Sequence, residues 1–396
     1  MLKKLFLVKL VAIFQFKCYF QQMLKNQKMT HLSLNELELH AAAQLRELLS
    51  TAPLEIDKEE SDKPENEIDF TIQLSAQNQK WTLACEVKSS GQPRNIRMAA
   101  WKARDFAQRA GKSANVYPVV LAPFISAQTG EICKEMGVGY VDLAGNCRLA
   151  FGNVYIEKSV AKNPFGVRRE QRSLFAPKSA RILNALLSHP RRAWKLAELA
   201  QTTGVSLGQV SNVQKLLLDR EWISAQRGAL RLIHPDALLD AWRAAYIQPK
   251  TGRARYYTLL HGVELEQALR EALGAMQLSN ALTETGPRAV LSSFSAARWL
   301  APFARVAGEF LYADAEGERL LTHHLKLEPA PRGENVTIDR PRDIGIFLEN
   351  LEPKPGLRCT GLVQTFLDLA AAGERGAEAA DHLRQQKITP LWKELA

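Results

Sequence analysis

Between Pro177 and Ile233 three apolar stripes at helical spacing follow one another closely, and two short β-prone runs come after them. Few folds accommodate that order. Ile182, Leu183, Leu186 and Leu187 make the first stripe, and Pro190 ends its helix. Leu196, Leu199 and Ala200 stripe a second, short helix. Thr202-Thr203-Gly204-Val205-Ser206 reads as a tight turn, with Gly204 free to take positive φ and Ser206 placed to cap the next helix. That third helix turns Val210, Val213, Leu216 and Leu217 inward and carries Gln209, Ser211, Asn212, Gln214 and Lys215 outward. Trp222-Ile223-Ser224 and Leu230-Arg231-Leu232-Ile233 are the two β-prone runs, joined through Arg227-Gly228.

Helix, helix, turn, helix, hairpin is the order of a winged helix-turn-helix, so 177–233 is expected to bind DNA. Polar side chains on the third helix can hydrogen-bond base edges and phosphates in a major groove. The residues expected at duplex DNA are Ser206, Gln209, Ser211, Asn212 and Lys215 on that helix, with Arg227 and Arg231 on the hairpin. Charge agrees. From Glu157 to Arg231 there are fourteen Lys and Arg against five Asp and Glu, and 1–28 adds six Lys and no acid. The chain totals +10, so everything else is net acidic. A basic excess focused on one segment is the footprint of a nucleic-acid reader.

The chain has 396 residues, enough for two or three domains with their own cores. Cys18, Cys85, Cys133, Cys147 and Cys359 are scattered, with none at zinc-ligand spacing, as suits a reducing cytoplasm. The first 28 residues are apolar from Leu5 to Phe20 but interrupted by Lys9 and Lys17, and no small-residue cleavage site follows. They are expected to be an upstream over-reading or a disordered leader, with Met23 or Met29 rather than Met1 as the start. The alternative is a membrane-targeting segment. The stretch is short and charged for a spanning helix, so a cytoplasmic protein with no membrane partner is expected.

Residues 29–157 alternate helices and strands, which argues for an α/β sandwich. Leu34–Leu49 is amphipathic, and the acidic, Pro-containing run 55–67 reads as a loop. Ile68–Ile72 and Trp81–Lys88 are strands; a helix over 97–110, a strand over 116–121, a helix over 126–136 and a strand over 139–143 complete the domain. Asp69, sixteen residues, then Glu86-Val87-Lys88 places two carboxylates and a lysine on neighbouring strands, with Glu86 and Lys88 sharing a face. These residues resemble the restriction-endonuclease-like superfamily with its PD-(D/E)xK core. The resemblance implies Asp69 and Glu86 as ligands of a Mg²⁺ ion and Lys88 beside them as the third catalytic residue, with a helical Glu36 or Glu47 completing the set. Such domains also serve as inert binding modules. Asp142, before the turn at Gly145-Asn146, is a weaker candidate.

Residues 158–176 read as a basic linker and 234–396 as a C-terminal α/β or α+β domain. In that domain helices are expected over 235–246, 263–276, 295–300, 360–369 and 376–386. Strands are expected over 256–260, 289–293, 309–312 and 320–325, the last carrying His323-His324 as a surface pair. Gln364-Thr365-Phe366-Leu367-Asp368-Leu369, the run from Gly373 to Ala380, Thr285-Gly286-Pro287-Arg288-Ala289 and Ser295-Ala296-Ala297 resemble AbiEi-type antitoxins, over roughly 177–390. The resemblance implies a winged-helix regulator that represses its own operon and opposes a nucleotidyltransferase-type toxin. The nuclease-like segment ahead of the winged helix departs from that pattern. The fold class expected is therefore α/β multi-domain. The function is a DNA-binding regulator or, alternatively, a Mg²⁺-dependent nuclease brought to DNA by its winged helix in phage defence or repair. A homodimer stays open.

Overall fold

The computed structural model describes residues 33–52, 54–60, 68–76, 79–111, 114–160, 174–226, 228–276, 286–303 and 308–393. The leader, most of the basic linker and Arg227 lie outside them. The chain divides into two compact units, Met1–Arg169 and Glu170–Ala396. Among the described residues, no helix is long and apolar enough to cross a membrane.

The first unit is built on one seven-stranded sheet whose strands run in chain order: β1 (Glu55–Glu60), β2 (Phe70–Ala76), β3 (Gln79–Val87), β4 (Val116–Ala122), β5 (Gly139–Asp142), β6 (Cys147–Phe151) and β7 (Val154–Lys158). The outer pairs are antiparallel, whereas β3, β4 and β5 are parallel, because the helices α2 (Pro93–Arg109) and α3 (Ala127–Glu135) carry the crossovers. β4 is apolar along its whole length since both its faces are covered. Val119 and Leu121 pack with Leu37, Ala41, Leu45 and Leu49 of α1 (Leu34–Leu49). Val120 and Ala122 pack with Ile96, Ala99 and Ala100 of α2. Ser33 and Glu36 close a reciprocal cap at the start of α1.

The acidic run expected as a loop is instead partly an edge strand. Glu55–Glu60 pairs with β2, and the Ser75 hydroxyl donates to Asp57 Oδ2 at 2.8 Å. Charges are tolerated there because an edge strand faces water, and they discourage pairing with a further chain. The β6–β7 hairpin was not foreseen.

The second unit begins with α4 (Pro177–Ser188), β8 (Trp194–Lys195), α5 (Leu196–Thr203), α6 (Leu207–Asp219), β9 (Ile223–Gln226) and β10 (Ala229–Leu232), the last two joined with β8 in a three-stranded antiparallel sheet. Gly204 takes φ 61° to end α5, and the Ser206 hydroxyl accepts from the Gln209 N–H to start α6. After α7 (Pro235–Ala245) comes a second seven-stranded sheet, of mixed direction. Its order is β14 (Glu328–Pro329), β11 (Lys250–Tyr257), β15 (Val336–Pro341), β13 (Glu309–Ala313), β12 (Ala289–Leu291), β17 (Leu357–Cys359) and β16 (Leu351–Lys354). Helices α8 (Gly262–Ala275), α9 (Ser293–Leu300) and α10 (Ala315–His324) are interleaved with these strands, and α11 (Leu362–Ala370), α12 (Glu374–Leu383) and α13 (Thr389–Lys393) follow them.

Two expectations fail here. The run 320–325 is helical: Asp314 caps α10 by accepting from the Gly317 N–H at 2.7 Å, and Leu321 and Leu325, four apart, are both buried. His323 and His324 therefore sit in its last turn. The strand expected over 256–260 ends at Tyr257 and begins at Lys250.

Asp142 has a structural task. It is fully buried, and its carboxylate accepts from the backbone N–H groups of Ile125 (2.8 Å) and Asn146 (2.7 Å) and from Asn146 Nδ2 (2.6 Å). It pins the β5–β6 turn to the entry of α3. Asp142→Ala would strand these donors in the interior, at about 1–3 kcal/mol for each one left unsatisfied. We expect urea denaturation to show a loss of at least ~2 kcal/mol, with Asp142→Asn, which keeps one acceptor, losing less.

Candidate nucleic-acid interface

Packing decides which side of α6 can meet a ligand. Val210, Val213 and Leu217 are buried, while Ser211, Asn212 and Lys215 are exposed on the opposite side. Spacing of one and four residues keeps these three together at the surface. Arg231 is exposed on β10 between buried Leu230 and Leu232. Two other expected contacts are already engaged. Gln209 is half-buried, and its Nε2 donates to the Ser179 hydroxyl of α4 at 2.8 Å. The Ser206 hydroxyl caps α6. Gln209 therefore braces α6 on α4 in this conformation. Leu207 at the start of α6 is exposed, and a Cβ on Gly208 would meet open space, so this end of the helix is uncrowded.

Arg181 on α4 anchors the turn before α6. Its Nε and Nη2 make a two-pronged ion pair with Asp343, at 2.6 and 2.8 Å, and its Nη1 donates to the carbonyls of Thr203 and Gly204, both at 3.3 Å. Burial would raise the Asp343 carboxyl, but the guanidinium and the Gly345 N–H together hold it below its ordinary value. Nearby, the 2.8 Å contact between His189 and Glu349 also joins α4 to the later chain. Arg181, Thr203, His189 and Glu349 border a cavity of about 500 Å³ lined also by Ala185, Leu187, Leu348, Leu362 and Leu391.

In the first unit the strand register brings the expected acidic cluster together. One step beyond the Phe70–Cys85 pair, Asp69 lies beside Glu86 on the sheet face that α2 covers. Asp69 Oδ2 accepts from the Val87 N–H at 2.7 Å. Glu86 is buried, 1% exposed, and two ammonium groups hold it: Lys88 at 2.6 Å from Oε1, and Lys102 of α2 at 3.1 Å from Oε1 and 2.9 Å from Oε2. Lys88 does point where Glu86 points. Lys102 was missed, because its link to Glu86 exists only once α2 crosses over β3. Among the described residues, no three His, Cys, Asp or Glu side chains group so as to hold a metal ion.

Residues 231–389, less than half of the chain, match the family model described as "Transcriptional regulator, AbiEi antitoxin, Type IV TA system". No curated protein and no solved structure gave a match. The matched segment runs from β10 to the start of α13, so it covers the second sheet and the helices around it.

The His189–Glu349 contact titrates. Its hydrogen bond to Glu349 raises the imidazole above its ordinary value, against the opposing effect of burial. A histidine raised in the folded state stabilises fully below its unfolded value, near 6.5, and this gain is lost as pH rises through the folded value. Burial also lifts Asp368 to about 6. An acid raised on folding likewise favours the folded state as pH falls. The readout is therefore the difference between two profiles: His189→Gln should flatten the rise in melting temperature between pH 8 and 6, leaving the Asp368 part.

Proposed function

We propose that this chain is a DNA-binding transcriptional regulator of the type IV toxin–antitoxin kind, acting on its own operon and opposing a nucleotidyltransferase-type toxin. The observation that carries the reading is the family match over 231–389, joined to the helix–helix–turn–helix–hairpin order immediately before it. In this reading 177–233 is a winged helix-turn-helix. α6 enters the major groove, Asn212 and Ser211 meet base edges, and Lys215 and Arg231 meet phosphates. Arg227, outside the described residues, is proposed for the tip of the wing. The C-terminal sheet and its helices are the antitoxin part. A homodimer, for a two-fold operator, belongs to the same proposal.

The test is fluorescence anisotropy with duplex DNA from upstream of the chain's own gene. Asn212→Ala should cut the preference for that duplex over a scrambled one by roughly tenfold, in line with one lost base contact. Lys215→Ala should weaken both duplexes alike and reduce the salt slope by about one. Equal affinity of the unmutated protein for operator and scrambled DNA would remove the operator reading.

A Mg²⁺-dependent nuclease is the second reading. It is favoured by Asp69, Glu86 and Lys88 meeting at one end of β2 and β3 within the order helix, three strands, helix, strand. The donor set does not fit the ion. Mg²⁺ asks for octahedral oxygen ligation, but Glu86 is held by two ammonium groups, Asp69 Oδ2 takes a backbone N–H, and a third carboxylate does not join them among the described residues. The nuclease-like domain is therefore proposed as a binding module. Millimolar Mg²⁺ should leave the melting temperature of the full chain unchanged. A rise that Asp69→Asn abolishes would return the nuclease to first place.

A further inference from the structure

Helix α2 has one face that the regulator reading leaves unused. Its buried side carries Ile96, Ala99, Ala100 and Ala103 against the sheet. Its other side exposes Arg94, Arg97, Met98, Trp101, Arg104 and Arg109. The positions 94, 97, 101 and 104 fall at helical spacing on one face and span about 15 Å of helix axis. Over its seventeen residues the helix has four Arg and one Lys against a single acid, Asp105, which Arg109 engages at 3.0 Å. In the middle of these cations lie two large apolar side chains in the open, Trp101 at 66% and Met98 at 61% exposure. A solvated basic helix has no need of an exposed indole, and guanidinium groups around it with almost no acid favour a partner that carries both negative charge and a flat ring.

We propose that the exposed face of α2 binds a single-stranded nucleic-acid segment, with phosphates on Arg94, Arg97 and Arg104 and an unpaired base stacked on Trp101. Charge complementarity selects a polyanion. The indole selects the unpaired form: bases in a duplex are already stacked on one another, whereas a free base has its ring face to offer. Lys102, on the same helix beside Trp101, reaches inward to Glu86 and fixes this part of α2 against β3. α2 belongs to the first unit and α6 to the second, so the inference stands on its own observations whether or not the operator reading does.

The experiment uses the full chain carrying Asn212→Ala and Lys215→Ala, so that binding through α6 is already weakened. The probes are labelled dT and rU oligomers of about fifteen nucleotides, matched to one binding site, and a mixed-sequence duplex of the same length. The dT oligomer should bind, with quenching of tryptophan emission. Trp101→Ala should weaken it roughly tenfold or more, as expected for loss of one stacked base, and Arg97→Glu with Arg104→Glu should weaken it further. Duplex affinity should change much less with Trp101→Ala. An unchanged melting temperature would show that the surface variants fold. The rU probe tells whether the strand taken is DNA, RNA or either. Affinity for both dT and rU that stays the same in every α2 variant would overturn the proposal. So would a loss of self-association by light scattering on Trp101→Ala with no change in oligomer binding, which would make the face a contact between copies of the chain.

Discussion

The helices that read as DNA-binding do not bury their own apolar faces; the C-terminal helices do it with them. Ile182, Leu183, Leu186 and Leu187 of α4 belong to one buried cluster with Val363, Phe366 and Leu367 of α11 and with Leu383, Ile388 and Trp392. The Trp392 indole N–H donates to the Leu187 carbonyl at 3.2 Å, and Phe175 stacks on Trp242 of α7 with ring centres 6.0 Å apart. A segment of under 60 residues buries only a modest share of its surface alone and is marginal. Each large apolar side chain fully removed from water adds about 1.5–3 kcal/mol. The common core is thus what gives α6 a fixed platform, and the sequence boundary near 233 falls inside it.

That sharing makes the C-terminal part a lever on the turn before α6. Arg181 grips Asp343 with two hydrogen bonds and, through its remaining amino group, the carbonyls that end α5. Charge-assisted, forked contacts of this kind hold orientation as well as distance. One guanidinium thus links Asp343 directly to the turn before α6, with no intervening side chain. The cavity of about 500 Å³ bordered by Arg181, His189 and Glu349 lies at the same joint. A change felt by the C-terminal part would have a short route to α6.

The sequence made the helices legible where one rule dominated. Leu34–Leu49 was read to the residue because its stripe, cap and length agree. The α4–α5–turn–α6 order followed from Pro190, Gly204 and Ser206, whose backbone preferences are local. What stayed hidden depends on partners far along the chain. Glu55–Glu60 has the composition of a loop and becomes a strand only because β2 offers it an edge. Val336–Pro341 lies between β11 and β13, where cross-strand pairing fixes it, and its own sequence ends in three polar or ring-constrained residues. Leu320–Leu325 was mistaken because Leu-Leu-Thr-His-His-Leu satisfies either period over so few residues, and the Asp314 cap that decides it lies outside the run. At the candidate sites, Asp69, Glu86 and Lys88 were legible from spacing, whereas Lys102 and the bracing role of Gln209 required the tertiary fold.

Glu86 shows what a buried acid of this spacing requires of the fold around it. A carboxylate that is 1% exposed must be paired or neutralised, since an isolated buried charge is too costly to keep. Here two ammonium groups, each about one-third exposed, supply the pairing from the same strand and from the crossing helix. With Asp69 included, two acidic and two basic side chains meet at this corner. An ion entering would have to push both lysines outward and then repel them at short range, in a site whose other acid already serves the Val87 N–H. The pairing that stabilises Glu86 also ties the crossing helix α2 to the end of β3, so these residues have a structural task whatever chemistry they carry.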